Sequence, residues 1–362
     1  MIRVYNDIFY KNKITKKKYE DDYIKKICSH AKNVDTKDDV NSSVVPLYDR
    51  INLSIKELYT LHNNKLLCLP KSFEDLLRLS PSDMATIYYQ ISVNYNPNIK
   101  NDINRLFFYT FLQKGKNKNK FVKKTVLLDY SFFYKDIASY ILSESNMNLY
   151  SLNTCFYCNS AYINTYINNL RNPRHKFDID HFIPKDKEKL CPLFSLSLYN
   201  FVPSCHFCNS GIKNSNVYFN NYSKYEILKL FPTDKYYNYD KELKFKILPD
   251  NFTFENNKNF YYADHVNDFI IELVPKGSNS NIYLRESNFF EIIQRYEYHK
   301  KEFLTYIDKR RKYTKSYFDL YEKNYTFKEA NNLREAIFNI KLRKEISPIF
   351  YKIYNDIDND IY

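Results

Sequence analysis

Asp178, Asp180 and His181 stand within four positions of one another in the run KFDIDHFIPK, residues 176–185. Two carboxylates and an imidazole crowded into a short alternating run raise the question of a shared task, and what flanks them bears on the answer. A C-x-x-C pair lies on either side, Cys155–Cys158 upstream and Cys205–Cys208 downstream, with residues 159–204 between them. Each pair can wrap a tight turn that aims both sulfurs at one point. Two such turns supply the four thiolates that zinc prefers and leave no position open for a substrate. The expected zinc site is therefore structural, tying the segment before the acidic motif to the segment after it. A redox dithiol is disfavoured, since no thioredoxin-like strand–helix pattern surrounds either pair. Cys28, Cys68 and Cys191 are isolated and read as core thiols.

The elements that must position these groups can be read from the alternation around them. Phe177 and Ile179 alternate with Asp178 and Asp180, so the motif reads as a strand with one apolar face, ended by Pro184. Consecutive side chains of a flat strand point to opposite sides. For Asp180 and His181 to serve one site, the strand must bulge or bend. LYNFVPS (198–204) alternates again and reads as the returning strand of a hairpin, with Asn200 in it. CHFCNSGIKNSN (205–216) reads as the second cysteine turn running into a short helix, with Asn209 at its start.

In order, D-x-D-H-x-x-P, a central Asn and C-x-x-C-N-x-x-x-K resemble the HNH endonucleases, the ββα-metal or His-Me finger nucleases. The likeness is to those members in which two C-x-x-C pairs bracket the finger, and it covers residues 153–216. Many members carry a final His where this chain has Asn209, and the two exchange at that position. The resemblance implies that Asp180 and Asn209 bind one catalytic cation, Mg²⁺ or Mn²⁺, leaving room for waters and a phosphate oxygen. It implies that the cation acts as a Lewis acid, that His181 takes a proton from the attacking water, and that Asn200 orients the imidazole. Asp178 reads as a strand residue bonded to the loop in preference to an outer ligand. Lys213 reads equally as a phosphate contact or a solvated lysine. His206 reads as exposed or as a phosphate contact, because four sulfurs already complete the zinc.

The activity implied is hydrolysis of phosphodiesters, in DNA before RNA. Proteins of this kind resemble effectors of bacterial restriction and anti-phage defence, including the HNH subunit of Septu-type systems, which works beside an ATPase partner. Three rivals stand: an RNA-cleaving HNH nuclease, a catalytically idle zinc ribbon that grips nucleic acid, and a protein–protein scaffold whose finger has decayed, against which the filling of all four site positions argues. Binding alone has no need of an Asp-His pair beside a hairpin return, which weighs against the ribbon.

The rest of the 362 residues frames that centre. A net charge of +13 favours a nucleic-acid partner over a membrane, although codon bias toward lysine makes charge weak support. Three basic clusters are plausible phosphate contacts: Lys11, Lys13 and Lys16–Lys18; Lys114, Lys116, Lys118, Lys120, Lys123 and Lys124; and Lys309–Lys312 with Lys315. Aromatics form 18% of the chain, and some could stack on unpaired bases. Three glycines are too few for a P-loop or dinucleotide fingerprint. No apolar run is long enough to span a bilayer, and the first residues lack the core of a signal peptide, so a cytoplasmic protein is expected.

An α+β protein follows, with a ββα-metal HNH finger and a structural zinc site of four cysteines. The expected parts are a mainly helical region over 1–145, the nuclease domain over 146–232, and a mixed strand and helix region over 233–362. Ser72 and Ser80 read as helix N-caps, and Phe133, Ile137, Tyr140 and Ile141 fall at helical spacing. DVNSSVVP (39–46) reads as a linker and QKGKNKNKFVKK (113–124) as an exposed loop. ELKFKIL and DFIIELVP read as strands. Ile293, Tyr296, Lys300, Phe303 and Ile307 read as one helical stripe, continued by LREAIFNIKLRKEI.

Overall fold

Ser72 and Ser80 open helices as their hydroxyls predict. In the computed structural model, the Ser72 Oγ accepts the Asp75 N–H at 3.1 Å and the Ser80 Oγ that of Asp83 at 3.2 Å. Helices Phe73–Leu77 and Pro81–Ser92 begin there, each with one otherwise unpaired N–H satisfied. The structure describes residues 4–338 and 350–361, apart from 6, 65, 67, 93–96, 115–120, 142, 144–145, 147–153, 164, 168–172, 176, 186–191, 215 and 251–262. Phe133, Ile137 and Ile141 form the buried stripe of helix Tyr130–Ile141. From the same helix, the Tyr140 hydroxyl donates to the Tyr19 carbonyl of helix Lys13–Lys32.

Two segments read as linker and loop contain strands instead. Asp35–Lys37 pairs antiparallel with both Val45–Pro46 and Phe111–Lys114, and the latter with Phe121–Lys124. Together they make a four-stranded sheet on the flank of the helical region. Strands of two to four residues are too short to show a period of two, which is why the polar composition masks them. Within the expected linker, the Asp39 carboxylate accepts the N–H groups of Asn41 and Ser42, each at 2.8 Å, and so shapes the turn.

The two later strands are as expected. Leu243–Pro249 and Phe269–Pro275 pair antiparallel in full register, Leu243 opposite Pro275 and Pro249 opposite Phe269. The single stripe expected from Ile293 to Ile307 is broken into helices Ile292–Glu297 and Lys300–Lys312, though Tyr296, Phe303 and Ile307 are all buried. LREAIFNIKLRKEI begins in helix Phe327–Phe338, and its residues from 339 onward lie outside the described residues. The final helix, Tyr351–Ile361, packs on strand Leu243–Pro249, where the Asp356 carboxylate accepts the Phe245 N–H at 2.8 Å.

The architecture is α+β, mostly helical with small antiparallel sheets. Buried residues from Val4 to Ile357 join in one hydrophobic core, so the centre of the chain is packed from both ends. No described helix is long and apolar enough to cross a membrane.

Candidate metal centre and cavity

The four paired cysteines converge. Their sulfurs all lie within 4.8 Å of one another, and the Cys158 and Cys205 sulfurs are 4.0 Å apart. A tetrahedral Zn–S site with bonds near 2.3 Å has edges of roughly 3.8 Å, so this cluster has the dimensions of a metal site. The first pair sits on a turn between Thr154 and Tyr162, which form an isolated antiparallel bridge. Asn159 adopts φ 53° there, a left-handed conformation that Asn tolerates better than most side chains. The second pair leads into Phe207–Lys213, which is wound as a π-helix.

Polar groups face the sulfurs from several directions. The Ser160 Oγ and N–H lie 3.1 and 3.4 Å from the Cys158 sulfur, and an Arg295 Nη1 lies 3.0 Å from that of Cys208. Hydrogen bonding within the cluster, Cys155 first, holds the Cys158 thiol well below its usual pKa, with a smaller contribution from Arg295. Outside the cluster, the Tyr296 hydroxyl donates to the Cys158 carbonyl at 2.8 Å, and the Phe350 N–H to the Asn159 carbonyl at 2.8 Å. The first turn is thus clasped by residues far downstream. Among the isolated thiols, Cys28 is buried as expected, Cys68 is exposed at φ 66° and is no core residue, and Cys191 lies outside the described residues.

Between the cysteine turns runs the expected hairpin. Asp178–His181 pairs with Phe201–Ser204, Asp180 opposite Val202 and His181 opposite Phe201. The register is continuous and holds no bulge; the chain bends just after it, at Phe182 and Ile183. Asn200 precedes the returning strand, in a 3₁₀ turn, Leu198–Asn200, that replaces the start of the alternating segment. The Phe156 N–H donates to the Pro203 carbonyl at 3.3 Å, tying the first cysteine turn to the hairpin.

A cavity of about 740 Å³ opens between this hairpin and the N-terminal region. Asp178, Asp180, His181, Asn209 and Lys213 line one side; Phe108, Asp129, Tyr130 and Tyr134 line the other. His181 is 6% exposed, and its Nε2–H donates to the Ser195 carbonyl at 2.9 Å. That bond leaves the Nδ1 lone pair as the imidazole's basic site. Burial, with the nearby Lys185 charge, lowers the His181 pKa to about 3, so the ring is neutral at physiological pH.

Asn200 does not touch the imidazole. Its Oδ1 accepts the Ile183 N–H at 2.8 Å, and its Nδ2 donates to the carbonyls of Ile183 and Phe194 at 2.9 and 3.0 Å. It pins the bend after His181 to the turn that presents Ser195. Its effect on the ring therefore passes through the backbone, and Ser195 makes the direct contact.

The carboxylates divide into two pairs of contacts. Asp180, deeply buried, accepts the Tyr157 hydroxyl at 2.5 Å on one oxygen and the Lys213 ammonium at 2.9 Å on the other. Burial raises the Asp180 pKa, and the Lys213 charge opposes that rise. Lys213 also donates to the His181 carbonyl at 2.6 Å and is 1% exposed, so it is neither a solvated lysine nor a free phosphate contact. The π-helical winding explains this, because it brings residues five apart, Cys208 and Lys213, toward one buried side. Asp178, half-buried, takes the Asn209 Nδ2 and the His206 Nδ1 on one oxygen, each at 3.0 Å. Asn209, inside the π-helical segment and not in a loop, is therefore bonded to Asp178, while His206 is exposed as expected.

The structure thus brings Asp178, Asp180, His181, Asn209 and Lys213 to one cavity and leaves Asn200 behind its wall. Tyr157, Ser195 and Arg295 escape the sequence reading. Tyr157 lies inside the first C-x-x-C, where it reads as a spacer, and the other two come from segments with no motif of their own. The basic clusters are partly spent within the fold: Lys114 pairs with Asp35 at 2.9 Å, Arg310 with Asp358, and Arg311 with Asp308 at 2.9 Å. Lys116, Lys118 and Lys120 lie outside the described residues. No protein-family model, curated protein or solved structure matches this chain.

Proposed function

We propose that this protein is a zinc-stapled, metal-dependent nuclease of the HNH type that hydrolyses phosphodiesters, DNA before RNA. The observation that carries the reading is His181, held by the Ser195 carbonyl, in one cavity with Asp178, Asp180 and Asn209. A lone histidine in a strand is usually inert. This one has its Nε2–H committed and its basic nitrogen left over, beside oxygen donors and on a frame stiffened by four sulfurs.

The donors fit the two metals. The cluster offers four cysteine sulfurs, a ligand set that suits zinc in a structural role. The cavity offers the carboxylates of Asp178, Asp180 and Asp129 against the ammonium groups of Lys185 and Lys213. An acidic surplus that must meet a phosphate calls for a cation between them, and hard oxygen donors suit Mg²⁺ or Mn²⁺. Asp180 and Asn209 would hold it, with Asp178 beside them. Once bound, the cation supplies Lewis-acid stabilisation of the charge that develops on the phosphate and the leaving oxygen.

The remaining work falls to the chain itself. His181 accepts the proton of the attacking water at Nδ1, while its Nε2–H stays on Ser195 and steadies the imidazolium that forms. Lys213 and Tyr157 fix the Asp180 carboxylate so that its orientation is set before substrate arrives. A role as a bacterial anti-phage effector beside an ATPase rests on the family resemblance alone.

Incubating purified protein with plasmid, linear single strands and RNA tests the reading, with Mg²⁺, Mn²⁺ or EDTA and with zinc content followed in parallel. Cleavage that needs Mg²⁺ or Mn²⁺ and disappears in His181→Ala is the expected result. Cleavage undiminished in that variant, or none of any substrate, sinks the proposal.

A further inference from the structure

Resting on the nuclease reading, we infer that the cavity takes an unpaired nucleic-acid strand, with a base or sugar laid against the Tyr130–Tyr134 wall, and not an intact duplex. The first ground is depth. Asp180 and His181 are 4% and 6% exposed, so a phosphate reaches them only by entering the cavity. At about 740 Å³, that space is the size of a small-ligand pocket, not of a groove that follows a double helix. Enzymes that act on a base within a pocket take single-stranded substrate or pull a nucleotide out of the stack, and a phosphate that must enter a pocket this deep sets a similar demand on the strand.

The second ground is the chemistry of the opposite wall. Helix Tyr130–Ile141 presents Tyr130 and Tyr134 to the cavity, with Phe108 beside them. Tyr130 stands edge-on to the His181 ring at 4.5 Å, and Tyr134 is 41% exposed at the mouth. A flat, open aromatic beside a phosphate-directed site is how proteins grip single strands without reading sequence. Among the described residues, the hydroxyl of buried Tyr130 also has no hydrogen-bond partner, although nearly all such groups are satisfied in folded proteins. A nucleotide's sugar or base edge would supply that partner. Lys185 lies over the Tyr130 ring at 4.3 Å, where its charge meets a backbone phosphate on the same path.

The test uses labelled oligonucleotides of one sequence, as single strand and as blunt duplex, in DNA and in RNA. Binding is measured with His181→Ala and cleavage with the unaltered protein in Mg²⁺ or Mn²⁺. Single strands are expected to bind and be cleaved about tenfold better than duplex. Tyr134→Ala should weaken single-strand binding about tenfold, the value of one lost base stack, with zinc content and melting unchanged. Tyr134→Phe should keep the affinity, because the ring and not the hydroxyl does the stacking. Equal handling of duplex and single strand, no binding of either, or full affinity in Tyr134→Ala overturns the inference. Single-strand binding through Tyr134 without any cleavage would uphold the inference and overturn the nuclease reading, so the two fail separately.

Discussion

The sulfur cluster and the cavity adjoin the same hairpin and are built on opposite principles. The cluster repeats one ligand type four times, and its members need only meet. Each cavity group differs from its neighbours and depends on a particular partner: His181 on Ser195, Asp180 on Tyr157 and Lys213, Asp178 on Asn209 and His206. A site of identical ligands can be found by spacing alone. A site of unlike groups is defined by contacts that cross the chain, and those cannot be counted off in sequence.

The contrast is open to experiment, beginning where the effect is greatest. Cys155→Ser should abolish metal retention and with it the cooperative thermal transition, since structural zinc contributes on the order of 10 kcal/mol to folding. Metal analysis and calorimetry read this; a well-folded variant free of zinc would show that the cluster is dispensable. His181→Ala should do the reverse, slowing single-turnover cleavage by about 10²- to 10⁴-fold with zinc retained. Loss of the metal in that variant would mean that the two sites are not separable.

Smaller changes sharpen the account of the cavity. Lys213→Met strands the Asp180 carboxylate in the interior and should cost about 3–5 kcal/mol in chemical denaturation, whereas an exposed lysine would cost almost nothing. Asn200→Ala leaves the Ile183 N–H and carbonyl unpaired, at about 1–3 kcal/mol for each buried group, while the Phe194 carbonyl keeps the Ser197 N–H. If Asn200 acts through the backbone, the pH dependence of cleavage stays put while stability falls; a shifted pH profile would restore direct contact with the ring.

The last effect lies away from both sites and appears only as a slope with pH. Glu286, buried and bonded by the hydroxyls of Tyr218 and Tyr237, has its pKa pushed up to about 7 by burial. The folded state therefore keeps a proton that the unfolded state releases near 4.5. Its contribution to stability is complete below that value and is lost as pH rises through 7. Denaturation of Glu286→Gln between pH 4.5 and 7 should show a flatter slope than the unaltered protein; an identical slope would remove Glu286 as the cause.

What the sequence discloses follows the same division. The cysteine turns, the Asp178–His181 strand and the two later strands are visible because their signals are local: fixed spacing, alternation, a terminating proline. The sheet of short strands is not, since its pairing joins residues 35–46 with 111–124 and each strand is shorter than a readable period. Lys213 reads as a surface residue only on an α-helical turn, and the π-helical winding turns it inward. Asn200 falls short of the imidazole because the path of Pro192–Ser197, which no local signal discloses, puts Ser195 there instead.

The clasp on the first cysteine turn has a consequence in time. Tyr296 and Phe350 close over residues 158 and 159 from much later in the chain. During synthesis, the turn that seats the metal has left the ribosome long before its clasp exists. A nascent chain therefore carries an open cysteine turn, which is covered only once the distal segments have docked.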